Sequence, residues 1–408
     1  MSNARPSLLM VGHMYATAFN RRKLNPLADY FDITCVTWPL EGATLLGRPL
    51  ADFEQEDHTP RYELLRLPAW PSTKSITRYL HRGLIDLLRR RRFDVIFVDS
   101  EPWGLIRWQV WMLARFIQPH ARLGEFSWEN IERPGLKGRV LSLVYRLAMR
   151  THDFSISGNQ ACRSIFIRYG AKPHTNLVAA QLGVESVEFR PADAAEKRAL
   201  RRELGLPEPC GMLIGFCGRF IPEKGLRELL AAVTALREKH PARDLHLAML
   251  GHGDLNAELA AFAEKNPWLH LLKPRPHREV AAFMRSLDLF VLPSKPVHSG
   301  PGLWEEQFGH VLIEAMAARV PTLGSSSGAI PEVIAMPEAV FTHSDTASLT
   351  QTMDRWIADD TARDQLAAAQ QQRTLENYSH EALARTWAEF FLRQLANRQQ
   401  ALSPKVKS

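Results

Sequence analysis

Met212-Leu-Ile-Gly-Phe-Cys-Gly-Arg-Phe-Ile-Pro-Glu-Lys-Gly225 opens the part of the chain that decides the fold. Met212–Phe216 is an unbroken apolar run, as expected of a parallel strand covered on both faces. A glycine-containing loop follows, with Arg219 and Lys224 placed just before a helix over Leu226–His240. The alternation then continues with strands at Leu245–Leu250, Leu269–Leu272, Leu289–Leu292 and Pro321–Leu323. Helices over Leu255–Glu264, Arg278–Leu287 and Val311–Ala318 separate them. Such a series predicts a doubly wound α/β layer structure.

The amino half carries an earlier series of the same kind. Ser7–Val11, Phe31–Thr37, Phe93–Asp99, Ala121–Ser127 and Phe154–Ser157 read as strands. Arg21–Tyr30, Arg78–Arg91 and Trp103–Ile117 read as helices between them. Val184–Pro209 is polar and rich in Glu, Arg, Ala and Pro, which marks a boundary. The expected domains are residues 1–185, residues 186–377 and a tail helix over 378–400. In that tail Leu383, Trp387, Phe391 and Leu395 recur every four residues after a plausible N-cap at Ser379, so the helix needs a surface to bury its aromatic face. Residues 401–408 carry no such pattern and are expected to be loose. Two Rossmann-like halves would place ligands in a central cleft, at the carboxyl ends of both sheets.

Composition narrows the functional classes. The 408 residues are 45% hydrophobic and 23% charged, and 51 Lys plus Arg against 44 Asp plus Glu leave a net charge of +7. That excess permits an anionic partner without demanding nucleic acid. The four cysteines form no CxxC pair or zinc-spaced cluster. Arg107 and Arg115 interrupt Trp103–Pro119, so no apolar stretch reaches spanning length. Residues 1–7 run into a short strand without a leader-like apolar region, so the reading is cytoplasmic.

The densest chemical signal is Trp304-Glu-Glu-Gln-Phe-Gly-His-Val-Leu-Ile-Glu-Ala-Met-Ala317. A helix starting near Gly309 offers unpaired N–H groups to a phosphate. Glu306, on the loop before it, can reach one side of such a ligand, and Glu314, inside the helix, can reach polyol hydroxyls. Taken alone, the pair is a weak signal, and Glu306 reads first as a solvated loop residue and Glu314 as a helix surface charge. Arg219 and Lys224 at a strand-to-helix turn suit a diphosphate, and taken alone they are ordinary surface cations.

In order along the chain come Gly218-Arg219-(x4)-Lys224-Gly225, Leu250-Gly-His-Gly253, Pro293-Ser294, Glu306-(x7)-Glu314-Ala-Met-Ala and Ser327-Gly-Ala-Ile-Pro-Glu332. This series resembles the donor domain of the large retaining glycosyltransferase family with the GT-B fold, the fourth in the usual classification (glycosyl transferases group 1). Gln181-Leu-Gly-Val-Glu185 with Phe189-Arg-Pro191 resembles its interdomain linker, and the tail helix resembles the segment that crosses back onto the first domain. The resemblance is specific over about residues 181–395.

It implies transfer of a hexose from a nucleotide sugar, UDP- before GDP-, to a glycan or lipid-linked acceptor with retention, in cell-surface polysaccharide or glycolipid synthesis. Arg219 and Lys224 would hold the diphosphate and stabilise the leaving group in place of a metal. Glu306 would contact the sugar, Phe308, Gly309, His310 and Val311 would present backbone to sugar and phosphates, and Glu314 would hold the ribose. Pro274 and Arg275 fall where the family's loop passes the base, and Gly12 lies on the loop after the first strand. No metal is expected to be required. Asp99-Ser-Glu101 superficially resembles an acidic metal motif but lacks its second Asp.

The amino half departs from the family. The loop after the first strand reads Gly12-His13-Met14-Tyr15 where relatives carry Gly-Gly. A middle strand that ends on a His in relatives reads Gly124-Glu-Phe-Ser-Trp-Glu-Asn-Ile131 here. His13 or Glu129 is the candidate polar group near the sugar. The segment Lys295–Trp304 is longer than the family's loop. Basic helices, with Arg89–Arg92, an Arg107/Trp111/Arg115 stripe, and Lys137, Arg139, Arg146 and Arg150, suit peripheral contact with an anionic membrane or read as solvated faces. Two other readings stand beside transfer: a sugar-nucleotide 2-epimerase of the same architecture, and a non-catalytic sugar-nucleotide-binding partner protein. A dinucleotide oxidoreductase is disfavoured, since Gly251-His-Gly253 has Asn256 where a third Gly belongs.

Overall fold

The computed structural model describes residues 5–41, 44–45, 48–49, 59–71, 75–299 and 302–402. The chain divides into two compact units, one of residues 1–183 with 380–408, the other of Val184–Ser379. Each is built on a parallel sheet with helices packed against it.

In the first unit the strands are β1 (Ser7–Gly12), β2 (Asp32–Thr37), β3 (Glu63–Arg66), β4 (Val95–Asp99), β5 (Arg122–Ser127), β6 (Phe154–Ser157) and β7 (Asn176–Val178). Their spatial order is β7-β6-β5-β4-β1-β2-β3. In the second, β8 (Met212–Cys217), β9 (Leu245–Leu250), β10 (Leu269–Leu272), β11 (Leu289–Leu292), β12 (Thr322–Ser325) and β13 (Val340–Phe341) are ordered β10-β9-β8-β11-β12-β13. Both sheets thus reverse direction beside their first strand, between β1 and β4 and between β8 and β11. Loops leaving the carboxyl ends at such a switch point diverge and open a crevice.

The unbroken apolar runs are the central strands. Leu8–Val11, Val95–Val98 and Leu289–Leu292 are buried along their whole length. Helix ends follow local chemistry. Asn159 accepts from Cys162 N at 2.8 Å, Asp193 from Glu196 N at 2.8 Å and Asp345 from Ser348 N at 3.0 Å, each closing a free helical N–H. Gly205, left-handed at φ 69°, ends helix Ala194–Leu204.

The tail forms helix His380–Leu402 and belongs to the first unit. Ala384, Trp387, Ala388, Phe390 and Phe391 join the core of that unit with Phe31, Phe97, Phe126 and Phe154. The Trp387 and Phe391 rings lie 5.2 and 5.1 Å from Phe97. The helix covers one face of an otherwise half-covered sheet, which is the surface its aromatic periodicity required. Of the expected loose end, residues 401 and 402 are helical and 403–408 lie outside the described residues.

Several expected elements differ. The helix over 21–30 is two short turns, Ala18–Arg21 and Leu24–Leu27. Pro26 has no N–H to give to Arg22, and Arg21 turns inward to donate to Tyr15 O at 2.7 Å. The helix over 78–91 shortens to Leu84–Arg90, because Gly83 sits at φ 86° and Leu80–His81 pairs as a strand with Ala69–Trp70. Strands β3, β7 and β13, each at a sheet edge, are absent from the sequence reading; all three are short, and β3 and β7 are only partly apolar.

The Arg107/Trp111/Arg115 stripe is a surface feature only at its end: Arg115 is exposed, Trp111 half-buried and Arg107 buried. Arg107 is buried and pairs with Glu125 at 2.7 Å, while donating to Ala148 O and Thr151 Oγ1 at 2.8 Å each. Spacing revealed a face, but the neighbouring strand covers it at Arg107. No helix among the described residues is long and apolar enough to cross a membrane.

Candidate active site

The loops at the carboxyl ends of β8 and β11 hold the second unit's polar cluster. Gly225, between Lys224 and helix Leu226–Lys239, has φ 65°, and a Cβ there would meet Pro293 O at 2.0 Å. This close approach brings the Lys224 loop against Pro293-Ser294. Lys224 forms an ion pair with Glu306, whose Oε2 also accepts from Ser294 Oγ at 2.8 Å. The Trp304 ring lies beneath the ammonium, 5.0 Å from Nζ. Trp304 ends the second strand of an antiparallel ribbon, Val297–Ser299 with Gly302–Trp304. The longer loop of the sequence therefore builds one wall of the cluster.

Glu306 is held by its backbone as well. Its carbonyl accepts from Ala329 N at 2.9 Å, and Gly328, at φ 54°, leaves room where a Cβ would meet that oxygen at 2.0 Å. The motif Ser327-Gly-Ala thus works as a clamp on the Glu306 loop. Arg219 is exposed and has no side-chain partner among the described residues.

Gly309, left-handed at φ 78°, precedes helix His310–Ala317. Phe308 is buried with its ring 5.6 Å from Tyr378, edge to face. Within the helix Glu314 is buried, and its Oε1 lies 2.8 Å from His277 Nε2 and 2.9 Å from His310 Nδ1. Burial alone would raise the Glu314 carboxyl, but His277 and then His310 hold it well below the usual range. It is therefore an ionised acceptor suited to hydroxyl groups. Val311 is half-buried on the same turn. Pro274 is exposed, and Arg275 pairs with Glu279 at 2.8 Å. Sequence reading missed His277, the first residue of helix His277–Ser286, 37 positions before Glu314. Its only signal was its place directly after Pro274-Arg-Pro276.

In the first unit Gly12 leaves room beside Asp99, where a Cβ would come within 2.7 Å of the Asp99 Cβ. The His13 ring packs 5.6 Å from Trp38, and burial lowers its pKa to about 4, so it is neutral near pH 7. Glu129 is buried, accepts from Tyr145 Oη at 3.0 Å, and has a carboxyl raised chiefly by burial. His13 and Glu129 share no bond.

Between them lies a network the sequence did not announce. Gln181 Nε2 donates to Asp99 Oδ1 at 2.5 Å, and Trp128 Nε1 donates to Gln181 Oε1 at 2.8 Å. Trp128 N and Ser127 Oγ both donate to the Glu101 carboxylate, which burial pushes up to about 8. Asp99 and Glu101, the abortive metal motif, are thus hydrogen-bonded carboxyls at the carboxyl end of β4, one of the two switch-point strands. Among the described residues no three His, Cys, Asp or Glu gather as a metal site.

Two parallel-sheet units with polar strand-end loops define the GT-B class of fold. A glycosyltransferase from Rickettsia africae superposes with a TM-score of 0.71 at 14% identity, covering 96% of this chain and 99% of that one. An Anabaena protein solved in complex with UDP does so with a TM-score of 0.64 at 14% identity, covering 97% and 100%. Residues 197–373, less than half of the chain, match the family described as "Glycosyl transferases group 1". A curated relative, the D-inositol 3-phosphate glycosyltransferase of Corynebacterium kroppenstedtii, is 32% identical over 270 residues, 62% of this chain and 56% of the relative. The chain thus spans little more than half the length of that relative.

Proposed function

We propose that the protein transfers a hexose from a nucleotide sugar, with UDP the first base to test and GDP the second, to a glycan or lipid-linked acceptor with retention at the anomeric carbon. The observation that carries this reading is the joining of Lys224, Glu306 and Ser294 beside the helix that holds the doubly His-bonded Glu314. Glu314 accepts the ribose hydroxyls. Lys224 turns from Glu306 to the diphosphate when donor binds, and Arg219 supplies the second cation. Glu306 then takes the sugar hydroxyls. Negative charge growing on the departing nucleoside diphosphate meets these two cations, which favours the oxocarbenium-like transition state. In the first unit Glu129 and neutral His13 offer polar groups to the acceptor side. The name of the matched relatives puts D-inositol 3-phosphate among the first acceptors to try.

The test is thermal unfolding against UDP- and GDP-sugars in chelator. A donor at about a hundred times its Kd adds roughly 2.7 kcal/mol, enough to raise the midpoint by several degrees. No shift with any donor would overturn the reading. Turnover with labelled donor and acceptor follows. Because cationic side chains carry the charge stabilisation, turnover in chelator is expected to match turnover with added magnesium or manganese. Loss restored by either metal would overturn that part.

A further inference from the structure

Helix Gly135–Thr151 of the first unit shows an apolar face that nothing among the described residues covers. Leu136 is 77% exposed, Val140 56%, Leu143 66% and Leu147 53%. At about 100° per residue these four positions fall within some 60° of one another. The opposite face, with Tyr145, Ala148 and Met149, is buried against Cys162, Ile165 and Phe166. Arg139, Arg146 and Arg150 line one side of the exposed stripe and Lys137 the other, all exposed, and the helix contains no Asp or Glu. The neighbouring helix Leu105–Ile117, tied to it through Arg107 and Ala148 O, adds a second set at heptad spacing. Its Leu105, Met112 and Phe116 are exposed, Phe116 at 82%, and it too has no acid.

Exposed leucines in a row are unusual on a water-facing helix, and here they are framed by cations. A second copy of this face would oppose like charges. A surface that is anionic outside and apolar just beneath matches both features, as a lipid bilayer does. We infer that helix Gly135–Thr151 lies flat on an anionic membrane, its four apolar side chains in the acyl boundary and its arginines among phosphate headgroups. Seventeen residues make a rod of about 25 Å, which lies in the interface without spanning.

The position has a chemical consequence. A groove lined by Glu132, Arg133, Leu136, Arg139 and Tyr169 starts at the amino end of this helix and continues to the pocket of Glu129 and Tyr145. A headgroup rising from the bilayer beside Leu136 would pass Arg133 and Arg139 on its way to Glu129. This second step, a membrane-resident acceptor, rests on the glycosyl-transfer reading; the docking does not.

Flotation of the full chain with vesicles tests the docking. Vesicles with about a third phosphatidylglycerol should carry the protein up, and phosphatidylcholine alone should not. Leu143→Ser with Leu147→Ser should weaken binding at least about tenfold. Arg139→Gln with Arg146→Gln should do the same and steepen no further with salt, while Lys265→Gln with Arg355→Gln, an equal charge loss on the second unit, should change little. All four positions tested in the helix are exposed, so melting temperature and donor binding should stay at wild-type values. Wild-type protein that stays down with anionic vesicles overturns the inference, as does equal loss in the second-unit control. So does a dimer in sedimentation velocity that Leu143→Ser with Leu147→Ser dissolves, since the stripe then faces a second copy. Flotation without any donor-induced thermal shift would leave docking standing and remove the transfer reading.

Discussion

Glu306→Ala is expected to lower kcat at least about a hundredfold, while UDP binds as well as before or more tightly. The split follows from the pairing seen in the second unit. Glu306 neutralises Lys224 and accepts from Ser294. Without the carboxylate, Lys224 is released toward the diphosphate, so ground-state affinity for the nucleotide is not lost. What disappears is the contact with the sugar as positive charge builds at its anomeric carbon. Arg219→Ala should lower kcat by a similar factor but weaken UDP, because Arg219 has no carboxylate to release it from. Steady-state rates and calorimetric UDP affinities of the two variants decide this. A Glu306→Ala enzyme with near-normal kcat would remove Glu306 from the reacting sugar. One that loses UDP affinity in step with Arg219→Ala would make it a mere scaffold for Lys224. The clamp of Gly328 and Ala329 holds the loop through the Glu306 carbonyl, which alanine keeps, so the melting temperature should move little.

Arg107→Leu should destabilise the first unit by about 3–5 kcal/mol near pH 7, the typical consequence of stranding a buried charge. Arg107 and Glu125 are each only 1% exposed. Burial pushes the Glu125 carboxyl up, but Arg107 first and His152 second pull it to about 2. Its folded pKa therefore lies below the unfolded one. The stabilisation is present above the unfolded carboxylate range and fades as pH falls through the folded value. Once Arg107 is gone, the His152 ring, with Nδ1 at 3.2 Å, is the remaining polar neighbour of the carboxyl. The carboxyl then rises toward the range set by burial and takes up a proton in mild acid. The gap between variant and wild type should accordingly be largest near neutrality and shrink toward about pH 4. Urea unfolding at several pH values measures it. A gap under about 1 kcal/mol, or one that does not change with pH, would mean Arg107 is not the partner that makes Glu125 tolerable.

These two pairs mark the limit of what the sequence made legible. Glu306 and Lys224 were each singled out as ligand contacts, yet nothing in their spacing said they would meet, because they lie 82 residues apart on loops joined only by the adjacency of β8 and β11. Arg107 was placed on a helix correctly but on its wet side. Helical periodicity identifies a face without saying what packs on it, and here Glu125 on β5 supplied the cover. The reverse error concerned Lys137, Arg139, Arg146 and Arg150, whose charges were seen while the apolar stripe between them was not. Leu136, Val140, Leu143 and Leu147 look like core positions until the structure shows the core on the other side.

The sequence by itself determined the fold class. Unbroken apolar runs separated by helical spacing admit little besides parallel sheets covered on both faces, and the ordered motifs from Gly218 to Glu332 carry the resemblance that the family match over residues 197–373 repeats. Tertiary structure alone decided which charges became partners, which carboxyls were buried and which leucines stayed wet. His277 joining Glu314, and Gln181 joining Asp99 to Trp128, depend on strand order and on how loops converge at a switch point. Local periodicity is a property of a few consecutive turns, whereas burial and pairing are set by segments dozens of residues away, and the energy of a charged side chain follows its surroundings more than its position in the chain.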